Sequence, residues 1–138
     1  GMDWEDTEVD VWNLSLDYDS VFKAGSFLGA GGVIVMDDRD SMPECLLNLA
    51  HFYAHESCGQ CTPCREGCHW VLEVLERLVH GEGRPGEVDL LVDIGKRMQG
   101  KTICFLADSL VMPVHSYIEH YRDEFDALLE GGRTAAHG

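Results

Sequence analysis

Four cysteines fall within the segment HESCGQCTPCREGCHW, at Cys58, Cys61, Cys64 and Cys68. The first three are spaced C-x2-C-x2-C. Thiolates three residues apart on one tight loop can curl around an iron–sulfur cube. Each then binds a different iron of a [4Fe–4S] cluster, and the fourth iron takes a cysteine from elsewhere in the chain. Gly59 lets the backbone turn inside the loop. Its N–H, with those of Gln60 and Thr62, can then donate to cluster sulfur, and such bonds help set a reduction potential. Zinc is the competing metal. Its structural sites bring two separated cysteine pairs, which three evenly spaced cysteines match less well. A thiol switch is the remaining chemistry.

The fourth ligand has three candidates. Cys68 completes C-x2-C-x2-C-x3-C, the run of bacterial ferredoxins, but there the fourth cysteine serves a second cluster and precedes a proline. Here His69 follows, and six cysteines in all are too few for two clusters. Cys68 also falls on an apolar helical stripe, where a buried thiol behaves as a small hydrophobe. Cys45 likewise lies in a helical run. Cys104 stands at a loop between two helical patterns, where a bundle can fold it back over the cluster. The spacing favours Cys104, with Cys68 as the alternative.

The elements that must position these residues follow from periodicity. Leu46, Leu49, Ala50, Tyr53 and Ala54 recur at helical spacing after the capping-box pattern Ser41-Met42-Pro43-Glu44, and this helix should stop near Glu56. A second helix begins close after Cys64, carries Cys68, Val71, Leu72, Leu75, Leu78 and Val79, and ends at Gly81. A third holds Val88, Leu91, Val92, Gly95 and Met98 up to Gly100. A fourth carries Val114, Tyr117, Ile118, Tyr121, Phe125 and Leu128, with Pro113 in its first turn or at a kink. Upstream, Val9, Val11, Leu14 and Leu16 alternate loosely as an extended arm or edge strand, and Val33-Ile34-Val35 reads as a short buried strand. The expected fold is mainly α: a four-helix bundle over residues 41–130, preceded by a β-containing segment over 1–40 and followed by a flexible tail over 131–138.

The 138 residues suit one domain, or one with a small appendage, and can bury a core without covalent help. Ten Lys and Arg against twenty-five Asp and Glu leave a net charge of −15, which disfavours nucleic acid and anionic membranes as partners. No apolar run has the length of a membrane span, and the acidic start GMDWEDTEVD does not read as a signal peptide. Gly1 before Met2 reads as a tag-cleavage scar. The expected compartment is the cytosol, where clustered cysteines serve metal or redox chemistry rather than disulfides.

HESCGQCTPCREG followed by Trp70, and KTICFLADSLVMPVHSYIEHYRDEF further on, resemble the C-terminal part of the NADH-binding flavoprotein subunit of respiratory complex I. Related subunits occur in NAD-linked formate dehydrogenases and NAD-reducing hydrogenases. LDYDSVFKAGSFLGAGGVIVMDD resembles the stretch before the cluster domain, so the likeness runs from about Leu16 to about Phe125. It implies one [4Fe–4S] cluster held by Cys58, Cys61, Cys64 and Cys104. It also implies one-electron transfer from reduced FMN to a further iron–sulfur centre, within an NADH:quinone oxidoreductase or a related NAD-linked complex. The implied partners are an FMN- and NADH-binding portion and a further iron–sulfur subunit, with the chain cytoplasmic or peripheral at the inner face of the membrane through its complex. The FMN- and NADH-binding portion is missing from this chain, so NADH oxidation by the chain alone is not expected. Phe105 and Ala107 depart from the family's smaller residues, and Cys68 sits where no ligand is usual. The alternative function is a non-redox zinc-binding structural or assembly module.

Other motifs are set aside or kept as neighbours of the cluster. Gly29-Ala30-Gly31-Gly32 precedes rather than follows a strand, unlike a dinucleotide fingerprint. His51 and His55 lie four residues apart, without a third metal ligand nearby. His55 borders the loop and can tune the cluster by a hydrogen bond. Arg65 can offset its negative charge. Trp70 reads as core packing.

Overall fold

The computed structural model describes residues 13–129. The chain divides into two compact units, which part between Asp37 and Asp38.

In the first unit, α1 (Tyr18–Lys23) is capped by Asp17, whose carboxylate accepts from the Ser20 N–H at 2.8 Å. Hydrogen bonds from Ser15 and from the Ser20 amide and hydroxyl lower the Asp17 carboxyl to about 2. Among the described residues there is no strand. Val33, Ile34 and Val35 are 67–88% exposed in irregular backbone, so the expected buried strand is corrected. Among the described residues the β-branched run has no neighbouring strand to pair with, and propensity without a partner leaves it open. Leu14 and Leu16 are not in a strand either, and the rest of the expected arm, with Gly1 and the tail over 131–138, lies outside the described residues.

The second unit holds α2 (Met42–Glu56), α3 (Thr62–Val79), α4 (Glu87–Met98), α5 (Leu106–His120) and α6 (Arg122–Leu129). α2 packs on α3, α3 on α4, α4 on α5, and α5 back on α2, which closes a four-helix ring. Short connections between ring neighbours make them antiparallel. The α2–α3 and α4–α5 connections therefore lie at one end of the bundle and the α3–α4 turn at the other. Leu46, Leu75, Leu78, Leu91, Leu110 and Phe125 fill the centre and are fully buried.

Three boundaries differ from the sequence reading. Helix α3 starts at Thr62, with Cys61 as N-cap and Pro63 in its first turn, where a proline's missing N–H costs nothing. Ser41 makes no side-chain cap; the Met42 N–H donates instead to the Glu124 carboxylate at 3.0 Å. The expected last helix is two, broken at Tyr121. The break lets α6 turn onto α2, α3 and α5 and brings Phe125 and Leu128 into the core. Arg122 pins the turn by bonding Asp89 on α4 and Asp126 one turn on. Pro113 lies inside α5. Tyr121 is 46% exposed at the break and Trp70 is 52% exposed, so neither is core. Trp70 falls off the buried stripe of Gly67, Cys68, Val71, Val74, Leu75 and Leu78.

Gly67 is required by packing. A Cβ there would run into the Met98 side chain, which is itself buried, so the glycine is what lets α4 lie close against the start of α3. Among the described residues no helix is long and apolar enough to cross a membrane.

Candidate metal centre

At the end of the bundle where α2 gives way to α3 and α4 to α5, a mostly apolar cavity of about 120 Å³ is lined by Cys58, Cys61, Cys64 and Cys104. Each cysteine arrives by a different route. Cys58 follows the end of α2, Cys61 caps α3, Cys64 lies in the first turn of α3, and Cys104 closes the α4–α5 connection. The turn between Cys58 and Cys61 needs Gly59, whose φ is +80°. The two loops meet directly, since the Ile103 N–H donates to Cys61 Sγ at 3.4 Å. Thr102 steadies the second loop by donating from Oγ1 to the Cys104 carbonyl at 2.9 Å, and the Gly100 N–H donates to Asp108 at 2.8 Å.

The cavity has a wet and a dry side. Cys58 and Cys104 are exposed, Cys61 is half-buried, and Cys64 is buried. The Ser57 hydroxyl lies 3.3 Å from Cys64 Sγ. Glu56, Thr102 and Leu106 complete the lining.

The alternative fourth cysteines stand elsewhere. Cys68 is one helical turn below Cys64, with the two sulfurs 3.9 Å apart, fully buried and absent from the cavity wall. Burial, with Cys64 beside it, pushes its thiol up to about 12, so it stays a neutral thiol in the core. Cys45 lies in the first turn of α2, about 18 Å along the helix from Ser57 at 1.5 Å per residue. Partial burial, then the carboxylates of Asp40, Glu44 and Glu124, raise its thiol as well.

The neighbours picked out in the sequence have mixed placements. Arg65 donates to the Gly59 carbonyl at 2.9 Å and to Glu66 at 2.8 Å. Its charge is therefore matched by Glu66, and its guanidinium clamps the loop rather than entering the cavity. Thr62 is the first residue of α3, where backbone N–H groups lack intrahelical partners. Gln60 and His55 are exposed, and His55 is not among the lining residues. His51 faces Glu76 on α3 at 3.7 Å, away from any joint site with His55. Thr102 and Leu106, which line the cavity, and Ile103, which bonds Cys61, were not legible as site residues, because each comes to the site through the meeting of two loops distant in sequence, and Ser57 had no signal of its own beside Cys58.

Thiolate donors in an apolar, partly closed cavity suit a soft metal centre. Cys61 and Cys64 stand at the first turn of α3, the positive end of its helix dipole. Among the described residues no three His, Cys, Asp or Glu side chains stand close enough to hold one metal ion. A cube that takes one thiolate on each of four irons spreads its ligands more widely than a single ion does.

A small helical bundle with four cysteines around one apolar cavity has the make-up of a metal-binding domain. A family model described as the NADH-ubiquinone oxidoreductase-F iron-sulfur binding region matches residues 44–128, and the chain belongs to that family. Its cofactor is a [4Fe–4S] cluster. The chain is 44% identical over 115 residues to the F-subunit of the NADH-quinone oxidoreductase of Rickettsia bellii (strain OSU 85-389), covering 83% of this chain and 28% of that protein. To an F-subunit counterpart from Rhizobium meliloti (strain 1021) it is again 44% identical over 115 residues, covering 83% of this chain and 26% of that protein. Among solved structures, an air-oxidised NAD+-reducing [NiFe]-hydrogenase superposes with a TM-score of 0.65 at 32% identity, over 69% of this chain and 17% of that chain. The chain thus spans well under a third of the length of these relatives.

Proposed function

We propose that the chain is the iron–sulfur electron-transfer module of an NADH-linked oxidoreductase of the complex I type. In this reading one [4Fe–4S] cluster is held by Cys58, Cys61, Cys64 and Cys104. Electrons come from reduced FMN, bound with NADH in another portion, and pass to a further iron–sulfur subunit. The observation that supports this reading best is that cysteines from two separate interhelical connections line one cavity. When bound, the cluster supplies one-electron transfer.

The chain's own residues have three tasks. The four cysteines bind. The Ile103 bond to Cys61 and the Thr102 bond to the Cys104 carbonyl hold the two loops in place around the cavity. Leu106 and the buried flank of Cys64 exclude water on one side, while the exposed side at Cys58 and Cys104 leaves a short path to a partner. Ile103, 85% exposed, and Phe105, 52% exposed, put apolar surface beside that path, which suits contact with another subunit.

Anaerobic reconstitution tests the reading. About four irons and four sulfides per chain are expected, with an electron paramagnetic resonance signal on reduction. About one zinc per chain, with no iron or sulfide, points instead to a structural zinc module and overturns it.

A further inference from the structure

We propose that Ser57 is a positioning residue that raises the reduction potential of the cluster, by donating its hydroxyl hydrogen to the Cys64 thiolate. The inference rests on the reading of Cys64 as a cluster ligand and deepens it.

Ser57 is the C-cap of α2, and its N–H donates to the Tyr53 carbonyl at 3.1 Å. That bond fixes the backbone, so the side chain leaves from a held position. Its Oγ lies 3.3 Å from Cys64 Sγ, within hydrogen-bond reach of sulfur. While Cys64 is a free thiol, either atom can donate. A cysteine bound to iron has no proton, so the hydroxyl becomes the donor. A hydrogen bond to a cluster sulfur stabilises the more negative, reduced state and moves the potential upward.

The place of this bond matters more than its existence. Cys64 is 7% exposed, whereas Cys58 and Cys104 are open to water that can supply equivalent donors. Water cannot replace the Ser57 proton so readily, and a hydrogen bond is electrostatically stronger in a low-dielectric setting. Cys61 receives its bond from the Ile103 backbone N–H, which every residue but proline keeps. Ser57 is thus the hydroxyl through which the sequence can adjust Cys64, beside the Cys68 thiol 3.9 Å from the same sulfur.

The test uses the full chain, reconstituted anaerobically and titrated electrochemically with the reduced signal followed by electron paramagnetic resonance. At the wild-type midpoint, Ser57→Ala should lower the reduced-to-oxidised ratio about tenfold, about 59 mV for one electron. Ser57→Thr, which keeps a hydroxyl, should recover most of that loss. A four-iron Ser57→Ala protein titrating with the wild type overturns the proposal. So does an equal fall in both variants, which would mean packing and not the proton. If Ser57→Ala cannot hold iron, electron–nuclear double resonance of the reduced wild type after brief exposure to D2O decides. Loss of a rapidly exchanging proton coupling of hydroxyl character supports the bond, and its absence overturns it. A wild-type chain without four irons and sulfides defeats the cluster reading itself, and the inference with it, and iron content shows this before any titration.

Discussion

The two ends of the bundle solve the same problem in opposite ways. At the α3–α4 end the chain completes itself. Glu87, 6% exposed, accepts from Arg77 Nε at 2.9 Å, from the second Arg77 nitrogen at 2.7 Å and from the Arg84 N–H at 2.9 Å. Gly83 leaves no room for a Cβ between Leu78 and Leu129, so the turn is packed tightly. At the cysteine end the chain closes on itself far less. Two thiols are exposed, an apolar cavity separates the loops, and few bonds join them. An end stitched by its own charges owes its order to the fold alone. An end lined with thiolate donors owes part of its order to what it binds, because metal binding free energy is then folding free energy.

That contrast can be broken first at Cys104. Cys104→Ser should abolish the intact four-iron cluster, read as iron and sulfide per chain falling well below four, while far-ultraviolet circular dichroism keeps its helical signal. A variant with an intact four-iron spectrum would move the fourth ligand to another cysteine.

At the opposite end, Glu87→Ala should cost about 2 kcal/mol in denaturant unfolding, since it strands a half-buried guanidinium and removes three hydrogen bonds. The iron content should not change. Loss of the cluster on this substitution would show that the two ends are not independent.

Acid sharpens the same point. Burial acts to raise the Glu87 carboxyl, but bonds and charge from Arg77 and Arg84 outweigh it and hold the group below its ordinary value. A carboxylate depressed in the folded state stabilises above its unfolded pKa, and that contribution fades as pH falls through the folded value. The stability gap between wild type and Glu87→Gln should therefore be full near pH 7 and shrink below about pH 4. A gap that grows on acidification would refute the assignment.

The smallest expected effect lies in the loop. Arg65→Ala removes the bond to the Gly59 carbonyl and an exposed ion pair with Glu66. Exposed pairs contribute little, so stability should change by less than about 1 kcal/mol. Iron release to a chelator should quicken, because the loop carrying Cys58 loses its clamp. An unchanged release rate would leave Arg65 without a part in holding the loop.

Helix spacing and the close cysteine run were legible because both are local. Apolar stripes at 3.6 residues per turn placed the main helices within a few residues. Leu46, Leu75, Leu91 and Phe125, each on such a stripe, are fully buried. Errors gathered where a distant residue settles a local question. The cap of α2 comes from Glu124, the break at Tyr121 is pinned by Asp89, and Val33–Val35 found no strand to join among the described residues. Helix α1 was missed because six residues hold too little periodicity to register.

The sequence by itself determined the run of cysteines and the spacing of three of them, since Cys58, Cys61 and Cys64 stand close together in the chain and its geometry limits how far apart they can lie. Only the tertiary structure decided that Cys104, favoured over Cys68 in the sequence, lines the same cavity while Cys68 stays in the core. The physical reason is the antiparallel ring of helices. It brings alternate connections to the same end of the bundle, and no local pattern of residues encodes which end a distant loop will reach.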